Sequence, residues 1–249
     1  MTIGILIPGA DFSGAQFFVN RNPLPPLPAG LERLHLTRRS LSQMGRDLVG
    51  LSSTLTQEAA LGGGAVEYTD FDIRTDRRGT GWHVNDYTAT EANGTTFMCV
   101  VGGFGSANDF WMQTGTGDIA AEDTIRLRSN WTISTFRTDA KTPAGSASAE
   151  VSGVGGRQND YFAGFGGVNE THAFAFVPDL NSYTETALAG PTGPILPGLS
   201  LCRFGTSSSA DTARMALWAA WDRALSQSEM TDAYNALKPW LANVGVEIL

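Results

Sequence analysis

Glu67, Asp70 and Asp72, in Glu67-Tyr68-Thr69-Asp70-Phe71-Asp72, form the acidic grouping that comes nearest to a catalytic pair. Cleaving a glycosidic bond takes two carboxyl groups held about 5–10 Å apart across it. On a strand Glu67 and Asp70, three apart, point to opposite faces, so this spacing does not supply the pair. There is no Gly-x-Ser-x-Gly elbow, and His35, His83 and His172 are dispersed without metal-ligand spacing. The runs Gly102-Gly103-Phe104-Gly105, Gly153-Val154-Gly155-Gly156 and Gly164-Phe165-Gly166-Gly167 lack the Lys-Ser/Thr of a phosphate loop and read as turns and bulges. Cys99 and Cys202 lie in apolar runs, which predicts two unpaired core thiols, with a disulfide as the alternative. These absences predict a protein that binds rather than catalyses.

For binding, a sugar platform requires an exposed aromatic ring beside planar hydrogen-bonding groups. Trp82, Tyr87, Trp111 and Tyr161 are the candidates because each lies near polar turn residues, although large rings more often serve burial. Hard oxygen ligands for calcium could come from Asn108 with Asp109, Asn159 with Asp160, or Asp179 with Asn181; the competing role of each is to shape a turn. No other cofactor is expected. Lys and Arg number 17 against 25 Asp and Glu, a net charge of −8, which repels phosphate backbones and anionic bilayers. Nucleic acid and membranes are therefore not expected partners. Arg33, Arg38, Arg39, Arg46, Arg77 and Arg78 are either a basic patch or scattered loop charges paired with carboxylates.

Positioning such groups requires a scaffold, and the composition points to an all-β one. With 29 glycines, 11 prolines and only 17% charged residues in 249, short strands joined by tight turns are expected in one large domain. Residues 1–28 end in Asn22-Pro23-Leu24-Pro25-Pro26-Leu27-Pro28, an extended arm. Its apolar residues Ile5, Ile7, Phe12, Phe17 and Phe18 either pack on their own domain or reach a neighbouring subunit. Phe97 to Phe104 suits a central strand; Ile125-Arg126-Leu127-Arg128 alternates as a half-exposed one. In His172-Ala173-Phe174-Ala175-Phe176-Val177 the large rings share one face. Trp218 and Trp221 fall on opposite sides of another strand, which leaves one ring to solvent. Ser226 and Glu229 form a capping box for a helix carrying Met230, Ala233, Tyr234 and Leu237 on one face, with Pro239 at its end.

The segment Trp221-Asp222-Arg223-Ala224-Leu225-Ser226-Gln227-Ser228-Glu229, following the apolar run from Met215, resembles the close of laminin-G-like, concanavalin-type jelly rolls. Gly30 to Leu36, Arg46 to Gly50 and Val66 to Asp72 resemble the opening strands of that fold. The resemblance implies an antiparallel β-sandwich with an extended arm at 1–28, a domain at 29–241 and a tail at 242–249. Asp222 and Arg223 would tie the turn into the helix. Enzymes of the wider class carry a Glu-x-Asp-x-x-Glu array, which this sequence lacks.

Ile7-Pro8-Gly9-Ala10-Asp11-Phe12-Ser13-Gly14 is similar to the starts of tail, fibre and surface proteins of bacteriophages and phage-like particles. That implies a virion structural or adsorption protein: a homo-oligomer docked onto other virion proteins through its arm, binding a bacterial surface polysaccharide, and made in the cytoplasm without a signal peptide. The alternatives are a free carbohydrate-binding module and a glycoside hydrolase.

Overall fold

A computed structural model describes residues 24–37, 40, 47–49, 55–57, 66–76, 81–88, 94–103, 108–115, 124–130, 134–157, 160–191, 197–201 and 212–249. The arm residues Ile5, Ile7, Phe12, Phe17 and Phe18 lie outside this set, as do Asn159 and Cys202. Among the described residues every pairing between strands is antiparallel, and the strands form two sheets. One runs β13 (Ser182–Ala187), β12 (His172–Val177), β11 (Phe162–Val168), β6 (Thr95–Gly103), β15 (Thr212–Trp221), β4 (Ile73–Asp76) and β3 (Val66–Tyr68), with β1 (Leu31–Leu36) also pairing with β15. The other runs β10 (Gly145–Ser152), β9 (Thr135–Thr142), β8 (Thr124–Asn130), β7 (Asn108–Thr114), β14 (Leu199–Leu201), β5 (Trp82–Val84) and β2 (Leu55–Gln57). The protein is an all-β sandwich with one described helix, α1 (Gln227–Ala242).

The two sheets face each other across one core, and the eight-stranded sheet has a second core on its other side. Ile73, Trp82, Phe97, Trp111, Leu127, Phe136, Phe162 and Trp218 fill the first. The second lies under α1 and includes Met98, Phe165, Phe174, Phe176, Leu217, Trp221, Met230, Leu237, Trp240 and Val246. A strand in a sheet covered on both sides is apolar at every position. This accounts for the continuous run of β6 and for both rings of β15: Trp218 and Trp221 do lie on opposite sides, but neither is exposed. The expected exposed tryptophan is corrected by the layer that α1 provides. On β12, Phe174 and Phe176 face that layer, while Ala173 and Ala175 face the opposite sheet.

Helix α1 starts as its sequence predicts. The Ser226 side chain accepts from the Glu229 N–H, and Glu229 accepts from the Ser226 N–H at 2.9 Å. The tie into the helix is made by Arg223, which donates to both Glu229 oxygens at 2.6 and 3.1 Å. Pro239 does not end α1, which continues through Trp240, Leu241 and Ala242. Trp240 and Leu241 are buried in the second core, and large apolar residues contribute about 1.5–3 kcal/mol each when buried. That outweighs the hydrogen bond proline cannot donate.

Residues 242–249 are likewise no free tail. Val246 and Ile248 are buried in the second core, Ile248 bridges to Tyr161, and the Leu249 N–H donates to the Tyr161 carbonyl at 3.1 Å. Leu24 and Leu27, within the expected arm, pack against the same layer. The stretch resembling an opening strand at Arg46 to Gly50 is a turn over its described residues 47–49.

The glycines of Gly164-Phe165-Gly166-Gly167 form a buried strand, β11, and not a turn. A Cβ on Gly164 would collide with the Phe136 ring, and one on Gly166 with the Thr138 hydroxyl. Both partners lie on β9 of the facing sheet, so these glycines let the sheets close. The run at Gly153 does turn, with Gly153 at a φ of +95° before a short 3-10 helix over Val154–Arg157.

Candidate functional site

The outward face of the seven-stranded sheet is where the molecule gathers polar side chains in register. On β9, Phe136 and Ala140 enter the inter-sheet core, while Arg137, Asp139 and Lys141 point the other way and are partly exposed. On β8, Ile125 and Leu127 go inward and Arg126 and Arg128 outward, as the alternation predicted. The pairings extend this face into a single row: Thr56 opposite His83, His83 opposite Ser200, Ser200 opposite Gln113, Gln113 opposite Arg126, Arg126 opposite Asp139, and Asp139 opposite Ser148. Seven strands thus each place one hydrogen-bonding residue on one line. Next to it, Arg128 stands opposite Arg137, and Arg137 opposite Glu150.

Asp139 is the hub of this face. Its carboxylate pairs with Arg128 and, at 3.3 Å, with Arg137, and accepts the Ser148 hydroxyl at 2.6 Å. Arg137 also reaches Glu150 at 3.5 Å. In the middle of the row, Ser200 donates to the Gly115 carbonyl at 2.8 Å and lies 3.2 Å from His83 Nδ1. Gln113 is 1% exposed, and its side-chain oxygen has no hydrogen-bond partner. An acceptor buried without a partner costs about 1–3 kcal/mol.

The predicted aromatic platform is not assembled. Trp82, Tyr87 and Trp111 have no exposed surface. Trp82 and Trp111 sit at inward positions of β5 and β7 and donate to Tyr68 Oη at 3.4 Å and Ser129 Oγ at 3.0 Å. The Tyr87 hydroxyl pairs with Thr95 Oγ1 at 3.0 Å, and burial pushes its phenol well above the usual tyrosine range. Polar neighbours in sequence signalled exposure, but strand parity turned Trp82 and Trp111 inward, and Tyr87, which follows β5, is buried in the same inter-sheet core.

Tyr161 is half-buried, and its hydroxyl donates to Asp72 Oδ2 while the Arg214 guanidinium lies 4.7 Å from its ring centre. Burial, then the hydrogen bond to Asp72, raise its pKa. Asp72, fully buried, also accepts from Thr69 and from Arg74 Nε at 3.2 Å. Glu67 and Asp70 are exposed, so the acidic trio does not converge. The exposed aromatic here is Phe71, 45% exposed beside Gly245.

Of the calcium candidates, Asn108 and Asp109 are strand residues of β7 rather than a turn, Asp160 is exposed, and Asn181 takes a left-handed φ of +47° that closes the 3-10 turn holding Asp179. Among the described residues no group of three or more His, Cys, Asp or Glu could hold a metal. Arg33 is buried and faces Asp47 and Asp86, each at 3.8 Å, so it belongs to no basic patch. Asp47 also faces buried His35 at 3.8 Å and accepts the Leu34 and Val49 N–H groups, which pins its turn to β1. Cys99 is a free buried thiol, its pKa raised by burial.

No protein-family model matches the sequence, and no curated protein does. Solved structures do resemble it. The binding domain of botulinum neurotoxin serotype D aligns with a TM-score of 0.63 at 8% identity, covering 83% of this chain and 51% of that one. The binding domain of botulinum neurotoxin DC, solved with rat synaptotagmin II, gives 0.61 at 9%, covering 84% and 52%. A type C structure, whose cell entry is described as dependent on two ganglioside molecules, gives 0.59 at 10%, covering 84% and 51%. The likeness is one of fold. The chain spans about half the length of these neighbours. Among the described residues no helix is long and apolar enough to cross a membrane.

Proposed function

We propose that this protein is a non-enzymatic carbohydrate-binding module that uses the outward face of its seven-stranded sheet. The polar row from Thr56 to Ser148 carries the proposal, because its accessible members, Thr56, His83, Arg126, Asp139 and Ser148, offer hydroxyl, imidazole, guanidinium and carboxylate groups to a ligand rich in hydroxyls. An extended row suits an extended chain of sugars. The toxin neighbours share this sandwich, and one is described with gangliosides, which agrees with the reading without specifying a site. The carboxylates of the face support binding over hydrolysis: Asp139 and Glu150 are both engaged in ion pairs with Arg137.

The module's carrier is a phage or phage-like particle, on whose surface an oligomer docked through residues 1–28 would present the face to a bacterial polysaccharide. The similarity of Ile7 to Gly14 to phage surface proteins supports this. A glycan array with the purified chain tests the binding: retained glycans lost in a Thr56→Ala, Arg126→Gln variant of unchanged melting temperature are expected, and an array blank at every glycan sinks the proposal. Immunogold labelling of particles induced from the source cell tests the carrier; particles without label rule it out.

A further inference from the structure

We propose that the turn between β3 and β4 carries a second sugar site, in which the Phe71 ring stacks on the C–H face of a pyranose while Arg74 and Glu67 bind hydroxyls at its edge. The ligand class rests on the carbohydrate reading, but the surface is a different one, the β3 edge of the eight-stranded sheet. Among the described residues Phe71 is the one Phe, Tyr or Trp that stands exposed. It occupies a turn, where side chains ordinarily serve to shape the backbone. Here Thr69 shapes it: its hydroxyl accepts the Phe71 N–H at 3.1 Å and the Asp72 N–H at 3.0 Å, and its own N–H donates to the Asp72 carbonyl at 2.9 Å. None of these bonds uses the Phe71 side chain, which leaves apolar surface in water.

The ring is fixed before any ligand arrives. Its Cδ1–Cε1 edge lies so close to Gly245 that a Cβ there would collide with it, and Gly245 takes a φ of +89° that favours glycine. The ring thus rests on the backbone that follows α1 while Thr69 bonds the turn that carries it. A side chain already ordered loses little conformational entropy on binding. Hydrogen-bonding groups stand beside it. Arg74 is directly opposite Glu67 in register, their charged atoms lie 3.9 Å apart, and both side chains reach solvent. Arg74 Nε lies 3.2 Å from Asp72 Oδ1, which brings the guanidinium back to the residue next to Phe71. A guanidinium only donates and a carboxylate only accepts, so the pair matches two neighbouring hydroxyls, each of which can do either. A pyranose adds what an open-chain polyol lacks, a face of C–H groups to lie against the aromatic ring.

Amide NMR of the full chain, titrated with methyl β-galactopyranoside, methyl β-glucopyranoside and open-chain galactitol, tests the site. At least one pyranoside should shift the Phe71 and Gly245 amide resonances saturably, and galactitol should not. Read at the Gly245 amide, Phe71→Ala and Phe71→Leu should each weaken that pyranoside by about tenfold or more, and Phe71→Trp should retain it. Leucine keeps the apolar bulk of the turn, so a loss in Phe71→Leu at unchanged melting temperature belongs to the ring. No saturable shift at Phe71 from either pyranoside overturns the site. An equal response to galactitol overturns it too, as does full binding by Phe71→Leu. Failure here and failure of the sheet-face reading are distinguishable. Array glycans lost in the Thr56→Ala, Arg126→Gln variant, with Phe71 silent to both pyranosides, remove this site and leave the sheet face standing; a blank array with a saturable response at Phe71 does the reverse.

Discussion

Asp72 keeps its side chain entirely out of water, and Tyr161, Thr69 and Arg74 together satisfy it. Hydrogen bonds to a charged group contribute about 1.5–3 kcal/mol when its alternative is burial without a partner. Tyr161→Phe removes one of the three donors and should destabilise the fold by about 1.5–3 kcal/mol in urea unfolding; a loss under about 0.5 kcal/mol would show that water replaces the phenol. Because the Tyr161 pKa is raised by burial and by Asp72, the phenol remains a donor throughout the neutral range, and the effect should not vary between pH 6 and about 9. The sequence points to Tyr161 for its ring, yet its hydroxyl does the binding, and to its own chain. Trp82 and Trp111 show the same limit of legibility. A polar neighbour in sequence is one peptide away, but the face a strand residue takes depends on parity, and parity depends on which positions the facing sheet covers.

The helix and the glycine strand mark the two extremes of what the sequence revealed. The start of α1 was readable because a capping box is local: Ser226 and Glu229 are three residues apart and need nothing else. Glu229 is held at about 2, chiefly by the hydrogen bonds from Arg223 and then by the Ser226 N–H. Its folded pKa is depressed, so its stabilisation is present above the ordinary value of about 4.5 and is lost as the pH falls through about 2. Glu229→Gln should therefore cost about 0.5–1 kcal/mol at neutral pH, a cap-sized loss discounted for partial exposure, and that difference should vanish near pH 2 in acid-titrated melting curves. A difference that persists there would assign the loss to packing instead. Strand β11 is not legible locally because its reason is distant: Gly164 and Gly166 accommodate Phe136 and Thr138 of the other sheet. Gly164→Ala should destabilise by about 1–3 kcal/mol through overpacking. Combined with Phe136→Leu it should cost less than the two separate losses added, and strict additivity in that cycle would place the clash elsewhere.

The whole molecule treats its two sheets unequally. The eight-stranded sheet is apolar on both sides because α1 and residues 244–248 cover it, while the seven-stranded sheet keeps one polar side. The alternation of β8 announced that side, but the row joining Thr56 to Ser148 is the product of six pairings, three of them between segments far apart in sequence, and no local pattern encodes it. The same inequality decides where the fold ends. Residues 242–249 carry buried Val246 and Ile248, each worth about 1.5–3 kcal/mol, and the Tyr234 hydroxyl donates to the Leu249 carbonyl. A chain ending at residue 241 should thus lose about 3–6 kcal/mol, a large part of the 5–15 kcal/mol that holds typical domains folded. Its melting temperature should fall by on the order of 10 °C or more, and the outer side of the eight-stranded sheet should bind a hydrophobic dye. Melting within about 2 °C of the full chain would mean that the second core closes without its last strand of contacts, and that α1 alone is sufficient cover.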